Sequence, residues 1–129
     1  MPRIPSTMSL HLRYRLWIAE MNLDINILRI FDDYLEEMAT KKDQAEVKKG
    51  LDYFHEQFIN QRKEIDELRD EMHLVKMKLA AYARESKLVN YRTYRADNHT
   101  ELKRRYYTFR KTFNKVKNEF IDFEGKLLR

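Results

Sequence analysis

The chain has no cysteine, and only two glycines and two prolines in 129 residues. Without cysteine there can be no disulfide, no thiolate metal site and no cysteine nucleophile. A reducing compartment fits that composition, and a cytoplasmic location is the expectation. Pro2 and Pro5 both fall within the first five residues, so no pyrrolidine ring interrupts a helix further along. Long apolar runs are missing too. None approaches the ~18 residues that a membrane span needs, and the opening segment MPRIPSTMSLHLRYRLW lacks the apolar stretch of a signal peptide. Neither membrane insertion nor export is therefore expected. A Gly-rich phosphate loop is also lacking, and no Ser, Thr or Lys stands in a recognisable nucleophile setting.

What the chain does have is charge and apolar side chains in proportions that fold, with 36% charged and 43% hydrophobic residues. The length suits one domain. Residues 1–8 read as a flexible tail, Ser9 as the first helix cap, and residues 9–129 as a single helical bundle.

A strict spacing of four and three residues organises that bundle. It runs Leu10, Tyr14, Trp17, Met21, Asp24, Leu28, Phe31, Leu35 and Met38. It resumes as Val47, Leu51, Phe54, Phe58, Gln61, Ile65, Leu68, Met72, Val75, Leu79 and Tyr82. A third run is Leu102, Tyr106, Phe109, Phe113, Val116, Phe120, Phe123 and Leu127. Of these 28 positions 26 are apolar, against roughly 12 expected by chance from the composition. All seven phenylalanines lie on the lattice. A seven-residue repeat of this length keeps its seam on a neighbour only if the helices supercoil, so the expected fold is all-α: an antiparallel up-and-down bundle of three long coiled-coil-like helices.

The short segment ATKK separates the first two helices, with Asp43 and Glu46 placed as a capping box, and a connection that short forces an antiparallel pair. The second helix is expected to reach about Ser86. Stepping the lattice back from Leu102 meets His99, Arg95 and Arg92, where the pattern breaks. Asn98 with Glu101 repeats the capping logic, so the third helix is expected to start near Asn98, with residues 86–97 as a bend, a distorted helix or a short extra helix.

If Met38 lies beside Val47, the two polar lattice residues of the first hairpin, Asp24 and Gln61, meet in one layer. That layer would fix register or oligomer state. The alternative is that Asp24 turns aside to solvent, since an ionised carboxylate is costly to bury unpaired. A second stripe on the first helix, Leu16, Leu23, Ile27, Ile30 and Tyr34, widens its apolar arc beyond that of an ordinary amphipathic helix. A second copy is the expected cover, making a homo-oligomer, a dimer first, with another protein chain as the other candidate.

Charge is unevenly distributed. Residues 84–117 hold eleven basic residues against Glu85, Asp97 and Glu101, whereas residues 1–83 carry 13 basic and 15 acidic ones. Arg92, Arg95, Lys103, Arg104, Arg110, Lys111 and Lys117 read as one positive strip, with Tyr91 and Tyr94 beside it. A solvated helix face or a nucleic-acid interface both fit such a strip.

Catalytic constellations are sparse. Asp52 with His55, and Asp70 with His73, have the i, i+3 carboxylate–histidine spacing of metal-carboxylate bundles. Both pairs lie on one helix ~27 Å apart, too far to share an ion, so no metal or cofactor is expected. The segment HLVKMK, through His73 and Lys76 alone, resembles the His-x-x-Lys of histidine phosphotransfer domains. That resemblance implies a helical bundle with His73 as phosphoryl acceptor. It departs from the pattern at Met77, where a small residue is usual, and at Asp70 and Glu71, which repel a phosphoryl group. The leading expectation is a non-enzymatic interaction or scaffolding module, followed by a nucleic-acid-associated helical protein and then a phosphotransfer protein.

Overall fold

The computed structural model describes residues 7–41, 45–85 and 88–127, with side chains over 9–40, 47–81 and 99–127. Three helices account for all of them: α1 (Thr7–Lys41), α2 (Ala45–Glu85) and α3 (Leu88–Leu127). No strand occurs among the described residues. No helix there is long and apolar enough to cross a membrane. The fold is an all-α three-helix bundle. α2 is the central element, packed along both neighbours.

Chain direction follows from contacts between named residues. Phe31 of α1 meets Phe58 of α2, and Asn22 accepts a hydrogen bond from Arg69, so rising numbers on one helix meet falling numbers on the other. Phe54 likewise meets Phe120 of α3, and Glu71 pairs with Arg105. α1 and α3 therefore run parallel, both antiparallel to α2. Phe31 finds its partner about one turn, and Asn22 nearly two turns, further along α2 than a strict Met38–Val47 register places them.

The lattice is the core. Among the described residues Ile18 and Ile25 are the only buried side chains that do not belong to it, and Trp17, Phe31, Met38, Leu51 and Phe123 pack partly buried at its edges. At one end the rings of Phe31, Phe54, Phe58, Phe120 and Phe123 form a cluster, with Phe31 and Phe120 centroids 4.6 Å apart. Gly50 makes room for it, since a Cβ there would run into the Phe123 ring. At the other end Trp17 stacks on Tyr106 at 5.0 Å and on His99 at 6.2 Å, and the Tyr14 hydroxyl shares a 2.9 Å hydrogen bond with His99 Nδ1.

Several expected boundaries change. Helix α1 already includes Thr7 and Met8, so Ser9 lies inside the helix and does not cap it; residues 1–6 of the expected tail lie outside the described residues. The Asp43–Glu46 capping box also falls outside the described side chains. α2 ends at Glu85, close to the expected Ser86. The largest difference is in α3, which is continuous from Leu88, with neither a separate short helix nor a start at Asn98. No Gly or Pro interrupts residues 88–98, and backbone hydrogen bonding does not require an apolar stripe to continue. Glu101, expected in the capping box, instead accepts from Arg104 one turn ahead at 2.6 Å.

Candidate interaction surfaces and the polar core

The outer face of α1 carries the stripe expected from sequence. Leu16, Leu23, Ile30 and Tyr34 are 60%, 58%, 54% and 49% exposed, while Ile27 is half-buried against the core edge. The stripe is longer than the sequence pattern suggested, because Leu12 joins it at 56% exposure. At 100° per residue, Leu12, Leu16, Leu23, Ile27, Ile30 and Tyr34 fall within an arc of about 60°. That arc runs ~33 Å along the helix. Hydrophobic side chains scattered singly over a surface are ordinary, but a contiguous row is not.

Asp24 and Gln61 are both buried, at 2% and 6% exposure. Their surroundings differ. Arg110 of α3 donates from Nη1 to Asp24 Oδ1 at 2.9 Å and from Nη2 to Oδ2 at 2.6 Å. Nη2 also donates to the Tyr106 hydroxyl at 2.9 Å and lies 2.9 Å from Glu20 Oε1. The guanidinium sits over the rings of Tyr106, Phe109 and Phe113. Asp24 therefore does not turn to solvent, and its charge is matched by a bidentate partner that the α1–α2 hairpin alone does not supply. Gln61 Oε1 is buried without a hydrogen-bond partner, as is Arg110 Nε. Gln61 borders a shallow cleft of about 300 Å³ between α2 and α3, beside Arg104, Arg105 and Thr108.

This geometry corrects the basic strip. Arg110 is part-buried and turned inward onto Asp24, not aligned with the outward face. Arg104 pairs with Glu101, and Arg105 pairs with Glu71 across the α2–α3 interface. The Arg104 hydrogen bond, more than its charge, holds the Glu101 carboxyl below its usual range. Lys103 lies 5.8 Å from the centre of the Tyr107 ring. Lys111 is exposed and Lys117 half-exposed, while the side chains of Arg92 and Arg95, like those of Tyr91 and Tyr94, lie outside the described residues. The strip is thus partly neutralised by neighbouring carboxylates.

The histidines do not converge. His73 is partly buried, and its pKa is lowered first by desolvation and then by Lys76 and Arg69, with Asp70 opposing them. His55 faces Asp32 of α1 across a cleft of about 210 Å³. Burial raises the Asp32 pKa, Asp33 and Glu36 add to the rise, and the favourable charge of His55 only partly offsets it. Among the described residues no three His, Cys, Asp or Glu side chains gather in a group that could hold a metal. His99, where the lattice was expected to break, is engaged by Tyr14 and Trp17. The signal for it was available, because His99 occupies the lattice position preceding Leu102.

Comparison of the chain with protein-family models, with curated proteins and with solved structures found no match.

Proposed function

We propose that this protein is a non-enzymatic helical interaction module, cytoplasmic, that works by self-association through the outer face of α1, with its long helices wound in coiled-coil fashion. The observation that carries this reading is the row Leu12, Leu16, Leu23, Ile30 and Tyr34, each about half exposed or more on the outer face of α1. Covering such a row removes apolar surface from water at about 25 cal/mol per Å², and a second identical face is always present at the protein's own concentration. Sedimentation equilibrium at ~0.1–100 µM is the test, a range that brackets a dissociation constant of about 1 µM, equivalent to a binding free energy of about −8 kcal/mol. A dimer is expected. The triple variant Leu16→Ser, Leu23→Ser, Ile30→Ser should sediment as a monomer while keeping its helical circular dichroism. A wild-type monomer throughout that range overturns the reading.

A further inference from the structure

We infer that the two copies meet antiparallel along α1, with the two-fold axis passing beside Leu23; this rests on the self-association proposed above and adds its geometry. The exposed row is symmetric about that residue. Leu16 and Ile30 stand seven positions either side of Leu23, and Leu12 and Tyr34 stand eleven either side. Reversing the helix therefore lays apolar on apolar at every step: Leu12 on Tyr34, Leu16 on Ile30, Leu23 on itself. An isologous two-fold contact demands this self-complementarity, in which residue i meets j and j meets i.

Apolar symmetry alone would also tolerate a parallel pair, in which each residue meets its own copy. Charge decides between the two. From Ser9 to Ala19 the helix carries Arg13 and Arg15 and no acidic residue, whereas from Phe31 to Thr40 it carries Asp32, Asp33, Glu36 and Glu37 and no basic one. Arg15 lies one turn from Leu12, and Asp33 and Glu37 lie one turn from Ile30 and Tyr34, so these charges rim the apolar row. Arg15, Asp33 and Glu37 are exposed and Arg13 half-exposed. A parallel pair would crowd Asp33 and Glu37 of both copies at one end of the row and Arg15 of both at the other. The antiparallel pair brings Arg15 of each copy beside Asp33 of the other, on the same flank of the row and eight and ten positions either side of Leu23, and sets the basic end of each copy against the acidic end of its partner. Like-charge juxtaposition of that kind is what separates right from wrong pairings in helical interfaces.

Because the natural chain has no cysteine, single thiols can report the orientation. A disulfide forms only where two Cα atoms approach within about 7 Å. On mild oxidation Leu23→Cys should cross-link to itself to near completion. Leu12→Cys and Tyr34→Cys should each stay largely uncross-linked alone, yet give a covalent heterodimer when mixed. All three positions are solvent-facing, so the variants should keep the wild-type circular dichroism. Efficient self-cross-linking of Leu12→Cys in a protein that sediments as a dimer overturns the antiparallel geometry and leaves self-association standing. Loss of the sedimenting dimer itself overturns both.

Discussion

Both Nη atoms of Arg110 hold both oxygens of Asp24, joining two residues that are 86 positions apart in the chain. Asp24 has a side-chain exposure of 3% and Arg110 of 21%, so the two partners are not equally dependent on each other. Arg110→Leu strands a buried carboxylate and should cost about 3 kcal/mol in urea unfolding. Asp24→Leu should cost less, about 1–2 kcal/mol, because Arg110 keeps Glu20 and partial access to water. The double variant should be more stable than Arg110→Leu alone. Strict additivity of the two single effects would show that the pair is not coupled.

Gln61 should behave in the opposite way. Its buried Oε1 has no partner, and a buried acceptor left unsatisfied costs about 1–3 kcal/mol. Gln61→Leu should therefore raise stability by about 1 kcal/mol, and calorimetry should find a melting temperature a few degrees higher. A lower melting temperature would mean that the amide is satisfied in solution.

The two glycines separate helix propensity from space. A Cβ at Gly125 meets nothing within 4 Å, so Gly125→Ala should stabilise by a few tenths of a kcal/mol at this helix end. At Gly50 the same change drives a methyl group into the Phe123 ring. The overpacking cost of about 1–3 kcal/mol should match or exceed the propensity gain of up to about 1 kcal/mol. Denaturant midpoints for the two variants should thus move in different directions, or Gly50→Ala should not move at all.

His73 sets a pH dependence with a definite sign. Its pKa is lowered from the ordinary 6.5, chiefly by desolvation, so below that value the unfolded chain takes up a proton that the folded chain resists. Its contribution is therefore intact above about pH 6.5 and is lost as pH falls through the folded-state value. The stability of His73→Gln, measured from pH 7.5 down to 5, should fall less than that of the wild type. A steeper fall for the variant would contradict the direction of the shift.

The spacing of four and three could be read directly as the core because burial of apolar area is non-directional and each helix presents its stripe by its own geometry. Phe58, Leu68, Phe113 and the rest needed no knowledge of which neighbour they would meet. Ile18 and Ile25 escaped that reading. They flank the lattice on α1, and the wall of α2 beside Ile25 covers residues that one seam alone would leave at its edge. The exposed row on α1 was legible as an apolar surplus, although its symmetry about Leu23 emerged only once Leu12 was seen to join it. The continuity of α3 is not legible in the sequence, because residues 88–98 lack an apolar stripe and periodicity reports a helix only through its stripe.

Three helices, their buried faces and the surplus face of α1 follow from local periodicity alone. Tertiary structure decided what Asp24 and Arg110 do. An arginine at an exposed-looking heptad position and an aspartate on an apolar lattice acquire their roles only when α1 and α3 lie parallel at one relative height. That height is set by the side-chain packing of both helices on α2, and no stretch of sequence specifies it alone.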